Sequence, residues 1–159
     1  MRNDWLETFL RLGAAVIAGG AVGWERQLGG RPAGLRTHML VSLGAALVVL
    51  IPLSSGFSDT TRVIQGVATG IGFLCAGDIL HQVRDGHERV KGLTSAAALW
   101  VTAAIGMVAA SGLWPIVVVG TALTLLILTV FRWVEPKHDQ PKGDPPRGDP
   151  PKGDDKPEG

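Results

Sequence analysis

A chain of 159 residues with 15 Lys+Arg against 14 Asp+Glu is close to neutral and has no dense basic stripe, which argues against a nucleic-acid partner. Its single cysteine, Cys75, excludes an internal disulfide and any multi-cysteine metal site. Apolar residues make up 46% and the mean hydropathy is +0.25, but the two ends of the chain differ sharply.

Residues 1–134 hold 10 Lys+Arg and 7 Asp+Glu, gathered into short stretches between long apolar runs. Residues 135–159 hold 5 and 7, with no large apolar side chain. The division predicted is a membrane-embedded domain, 1–134, and a tail, 135–159. The start of the chain does not read as a cleavable leader. Met1-Arg2-Asn3-Asp4 is weakly basic, and the apolar run after it exceeds a leader's usual length.

A helix needs about 20 mainly apolar residues to cross a hydrocarbon layer of about 30 Å. Five segments fit. The first is Trp5 to Trp24, with an indole at each end where an aromatic belt lies. Glu7 and Arg11 fall one turn apart near its start and can pair. The second is Thr37 to Pro52 and the third Val63 to Leu80. No charge occurs over the 40 residues between Lys91 and Arg132, enough for two spans, Leu93 to Ala110 and Pro115 to Trp133. Ser111-Gly112-Leu113-Trp114-Pro115 reads as the turn between them. A soluble helical hairpin of that length would show a polar face. The fold predicted is all-α, a multi-pass transmembrane bundle of about five spans.

Lys and Arg collect on one side. Arg26, Arg31 and Arg36 follow the first span, Arg84, Arg89 and Lys91 the third, and Arg132 and Lys137 the fifth. That asymmetry puts the N-terminus outside and the C-terminus in the cytoplasm. The tail repeats Pro-Lys/Arg-Gly-Asp from Pro141 to Asp154, a composition expected to be disordered. Its Arg147-Gly148-Asp149 tripeptide is a by-product of the repeat.

Two polar stretches bear any chemistry, 25–37 and 78–91. Asp78 follows an uncharged run and is costly near a span's end unless paired. Glu25, Arg26, Arg36 and Asp78 therefore form a candidate cytoplasmic charge cluster, with Arg26 or Arg36 as the partner of Asp78. A structural ion-pair network at the helix ends is the plain alternative. Small residues spaced along the spans suit helix packing: Gly19 and Gly23, Gly66 and Gly70, then Gly72 with Ala76 and Gly77. One of these faces is alternatively a homodimer contact. Cys75 reads as a small packing residue. His38, His81 and His87 lie near the same end, but no ligand spacing supports a metal site. No nucleophile elbow, phosphate loop or dinucleotide motif is present, so no enzyme activity and no cofactor are expected.

At these residues the sequence resembles the MgtC/SapB family of bacterial inner-membrane proteins. Gly23-Trp24-Glu25-Arg26-Gln27 with Ala33-Gly34-Leu35-Arg36-Thr37 is similar to one family motif. Gly70-Ile71-Gly72-Phe73-Leu74-Cys75-Ala76-Gly77 resembles a second, and Val90-Lys91-Gly92-Leu93-Thr94-Ser95-Ala96-Ala97-Ala98-Leu99-Trp100 a third. The resemblance implies a plasma-membrane protein linked to growth under magnesium limitation and, in pathogens, to survival in host phagocytes. It implies a modulator of other membrane machinery, notably the F-type ATP synthase. A magnesium or other cation permease is the alternative, with Asp78 and Glu25 as hard oxygen ligands. Cys75 and Asp78 depart from the family pattern. Many members carry a soluble C-terminal domain where this sequence has its repeat, so that domain's role is not carried over.

Overall fold

Five helices form where the apolar runs lie, in a computed structural model that describes residues 4–56, 59–83 and 92–134. They are α1 (Asp4–Leu28), α2 (Leu35–Ser55), α3 (Thr60–Val83), α4 (Leu93–Ala110) and α5 (Trp114–Val134). No strand occurs among the described residues. Among the described residues three helices, α1 from Trp5, α2 and α4, are long and apolar enough to cross a membrane, and Trp114–Val130 is a shorter apolar stretch. The tail, 135–159, and the basic stretch 84–91 lie outside the described residues.

The helix ends follow local chemistry. α1 runs past Trp24 because nothing breaks it before Gly29-Gly30, where Gly30 turns left-handed at φ 64°. Glu25, Arg26 and Gln27 are thus helical, and the polar loop shrinks to residues 29–34. α2 has Gly34 at its N-cap, where no side chain is available for capping. Gln27 supplies the acceptor from across the loop, its Oε1 taking the Leu35 backbone N–H at 3.3 Å. Pro52 falls in the last turn of α2, and the helix ends at a left-handed Gly56. Asp59 precedes α3 as an N-cap does, its Oδ1 accepting from the Arg62 N–H at 3.4 Å.

α4 is the hub. It touches each of the other four helices, while α1 and α2 pack against it and against each other. α3 leans mainly on α4, and α5 on α1 and α4. The core is built from small side chains, among them Ala15, Ala18, Ala46, Ala109 and Ala110. Small residues suit a membrane interior, where helices associate through close packing rather than through escape from water. The outside is the reverse of a soluble surface. Trp5, Ile17, Leu40, Phe73 and Val118 are all exposed, Phe73 at 82%. An apolar exterior of that extent is what a lipid-facing surface requires.

Arg11 ties the far end of the bundle. It pairs with Glu7 as the spacing predicts, and its Nη1 also donates to the Ala110 carbonyl at 2.8 Å. A cation there offsets the negative C-terminal end of α4 and satisfies a carbonyl that has no helical partner. Replacing Arg11 by Ala is expected to lower thermal stability in detergent by roughly 1–2 kcal/mol, the scale of a charge-assisted hydrogen bond. An unchanged melting temperature would show that water serves Ala110 equally well.

Candidate functional site

Where α1 ends and α2 and α4 begin, a polar group is built into an otherwise apolar bundle. Arg26 sits in the last turn of α1 and is only 4% exposed. Its Nη2 donates to Ser95 Oγ at 2.5 Å, in the first turn of α4, and Ser95 is itself buried. This bond ties the end of α1 to the start of α4. Glu25 beside it is half-buried. On α2, His38 is fully buried at 0% exposure. Its Nδ1 lies 3.0 Å from the Gly34 carbonyl, and a carbonyl can only accept. The ring hydrogen is therefore on Nδ1, and Nε2 faces inward as an acceptor in the neutral ring.

Close backbone approach makes this enclosure. A Cβ on Gly23 would stand 2.8 Å from Leu35 Cα, and one on Gly19 would stand 2.7 Å from both the His38 carbonyl oxygen and Ser42 Cβ. One on Gly106 would come within 2.2 Å of the Ser42 carbonyl oxygen. α1 thus meets α2 closely at His38 and Ser42, α4 meets the Ser42 backbone, and the polar group is sealed on that side. Above the crossing the interior is apolar, with Ala45, Ala46, Val49, Ala109 and Ala110. α3 joins this polar end through Cys75, whose Sγ lies 3.1 Å from the Ala96 carbonyl oxygen. The cysteine read as a plain packing residue thus also bonds to the first turn of α4.

The residues expected from sequence divide as follows. Arg26 and Glu25 lie together at the polar end of the bundle, Arg26 deeply buried. Arg36, expected in the cluster, is exposed on the first turn of α2, and so is Arg31 in the loop before it. The helical period turns Arg36 outward because its neighbours Leu35 and His38 take the face toward Gly20 and Gly23. Asp78 lies on α3, but its side chain, and with it the proposed pairing to Arg26 or Arg36, is outside the described residues, as are those of His81 and His87. Among the described residues no three His, Cys, Asp or Glu side chains converge as metal ligands would.

The glycines divide too. Gly19 and Gly23 stand at tight helix contacts. At Gly66, Gly70, Gly72 and Gly77 an added Cβ would meet nothing within 4 Å among the described residues. Among the described residues these four make no close helix approach, although Gly70 lines an open groove with Leu40, Gly44 and Val48 of α2. Gly106, the tightest contact of all, was not anticipated, nor were Ser95, Ser42 and Thr102. A signal for them existed. Ala98, Thr102, Gly106 and Ala110 recur every fourth residue on α4, and all four are buried.

Comparison with known proteins adds to this geometry. The MgtC family profile matches residues 12–137. SrpB of Synechococcus elongatus is 44% identical over 142 residues, covering 82% of this chain and 78% of that protein. YhiD of Escherichia coli K12, named a candidate magnesium transporter, is 45% identical over 136 residues, covering 79% of this chain and 61% of its own. A Brucella abortus protein named MgtC is 43% identical over 122 residues, 76% of this chain and 50% of its own. This chain therefore spans less than two thirds of the length of the last two. No solved structure matches it.

Proposed function

The chain belongs to the MgtC family, and from that premise we propose that it is a non-enzymatic modulator of another membrane machine, active when magnesium is scarce. Its contact face is the end that carries Arg31 and Arg36, and the buried Arg26–Ser95 bond holds that face in place. The observation that carries this reading is the backbone contact of Gly106 with Ser42, reinforced by Gly19. Three helices that touch there leave no continuous polar route through the α1–α2–α4 core. Exposed basic side chains on a rigid end are instead suited to reading the acidic surface of a partner. The F-type ATP synthase is the partner that the family resemblance brings forward. The excess of Lys and Arg near the ends of α1, α3 and α5 supports a plasma-membrane location with the N-terminus outside and this face in the cytoplasm.

The second reading is magnesium permeation, favoured by the name that YhiD carries. Glu25, half-buried at the same end, is its ligand of choice, since magnesium keeps most of its water and needs few carboxylates.

Charge reversal separates face from fold. Arg31→Glu with Arg36→Glu is expected to abolish complementation of growth in low magnesium while folded yield and melting temperature stay within error. Both side chains are exposed, and substitutions there are usually worth within about 0.5 kcal/mol. Growth unaffected by the double reversal would sink the contact face.

A further inference from the structure

His38 Nε2 and Ser42 Oγ, one turn apart on α2, are both enclosed and have no hydrogen-bond partner among the described residues, and both residues are at 0% exposure. A polar atom shut away from any partner is costly, so native folds supply protein or ordered water. The helix register shows what is at hand. α1 meets α2 through Gly19 with Ser42 and Gly23 with Leu35, and meets α4 through Arg11 with Ala110 and Arg26 with Ser95. Both contacts are antiparallel, so α2 and α4 run parallel to each other. They touch at Ser42 and Gly106. One turn back along each, His38 and Thr102 fall at one level, and Thr102 is also at 0% exposure.

The chemistry of these three groups is complementary to one small molecule. The Thr102 hydroxyl donates its hydrogen to the Ala98 carbonyl at 2.7 Å and keeps lone pairs to accept. His38 uses its Nδ1 hydrogen on Gly34, which leaves Nε2 an acceptor. Two acceptors cannot satisfy each other. A molecule with two hydrogens and a lone pair can join them and take the Ser42 hydrogen as well. We propose that His38 Nε2, Thr102 Oγ1 and Ser42 Oγ hold one internal water molecule. The water donates to His38 and Thr102 and accepts from Ser42, within the two to four partners that such waters need. The Ser42–Gly106 contact closes the site toward the apolar half of the bundle, and the Arg26–Ser95 pair lies at its other end.

Water-to-protein magnetisation transfer tests this, on the full chain in lipid bilayers with histidine ring nitrogens labelled. The His38 signals are assigned by their loss in His38→Gln. The expected result is rapid transfer from water to the His38 ring, falling several-fold in Ser42→Ala and in Thr102→Val while the backbone amide spectrum is retained. Thr102→Val keeps the side-chain shape, so it carries the test if Ser42→Ala does not fold. Absence of transfer to His38 in the parent chain, or transfer unchanged in the variants that fold, would overturn the proposal.

Discussion

Gly106→Ala is expected to cost the bundle its stability, whereas Gly70→Ala is expected to leave it intact or improve it. In a helix interior Ala is better than Gly by about 1 kcal/mol, so intrinsic propensity favours both changes. Packing decides between them. At Gly106 the new methyl would lie 2.2 Å from the Ser42 carbonyl oxygen and 2.9 Å from its Cα and carbonyl carbon. Those are backbone atoms, and no flexible side chain can move aside. α2 and α4 must separate by about 1 Å to restore contact distances, and the separation loosens α1 as well, which is wedged at the same point through Gly19. Overpacking of this kind costs about 1–3 kcal/mol and occasionally more, so the net loss is expected at about 2 kcal/mol or above. At Gly70 a methyl meets open space among the described residues. Thermal unfolding of the two purified variants in detergent makes the comparison. Equal melting temperatures would mean that the Ser42–Gly106 contact is not the tight point of the fold. A drop at Gly70 instead would show that α3 is buried against another chain.

Arg26→Ala is expected to be the most damaging single change at the polar end. The guanidinium is nearly inaccessible and bonded to a buried hydroxyl. Truncation removes a charge-assisted hydrogen bond, worth about 1.5–3 kcal/mol, and leaves a void where the stem packed. A loss of about 3 kcal/mol is expected, with folded yield falling in parallel. Arg26→Lys keeps the charge but loses the planar fork, and is expected to recover only part of the loss. Ser95→Ala alone is expected to cost about 1–2 kcal/mol, because it leaves a buried donor short of an acceptor. The double variant with Arg26→Ala is then milder than the sum of the singles. Strict additivity would show that the two residues do not act through the bond seen between them.

Much of this architecture is legible in the sequence because membrane spans obey a length rule. The uncharged run after Lys91 admits a helix hairpin and little else, and α4 falls on the expected residues, Leu93–Ala110. The end of α1 was less legible. Trp24 and Glu25 look like a membrane boundary, but polarity does not end a helix, and the chain stays helical until Gly29 and Gly30 can turn it. Facing is harder still. Arg26 and Arg36 look equivalent as basic residues at span ends, yet one is sealed against Ser95 and the other is exposed. Only the rotation of each helix about its axis distinguishes them, and packing partners set that rotation. The glycine spacing on α3 resembles that on α1, yet of the two sets it is Gly19 and Gly23 of α1 that stand at a close approach to a neighbouring helix among the described residues. His38 shows the same limit. The sequence places it near a span end but does not say whether it faces in or out, and Gly19 and Gly23 let α1 close over it.

Magnesium flux is the most direct test of the central claim that the α1–α2–α4 core is closed and that the protein acts on another machine. Purified full-length chain is reconstituted into liposomes loaded with a magnesium-sensitive dye, and entry is followed under an inward gradient. A closed core predicts entry indistinguishable from protein-free liposomes, using protein whose preparation complements growth in low magnesium. Saturable, protein-dependent entry that is lost in Glu25→Gln would contradict it and establish permeation instead.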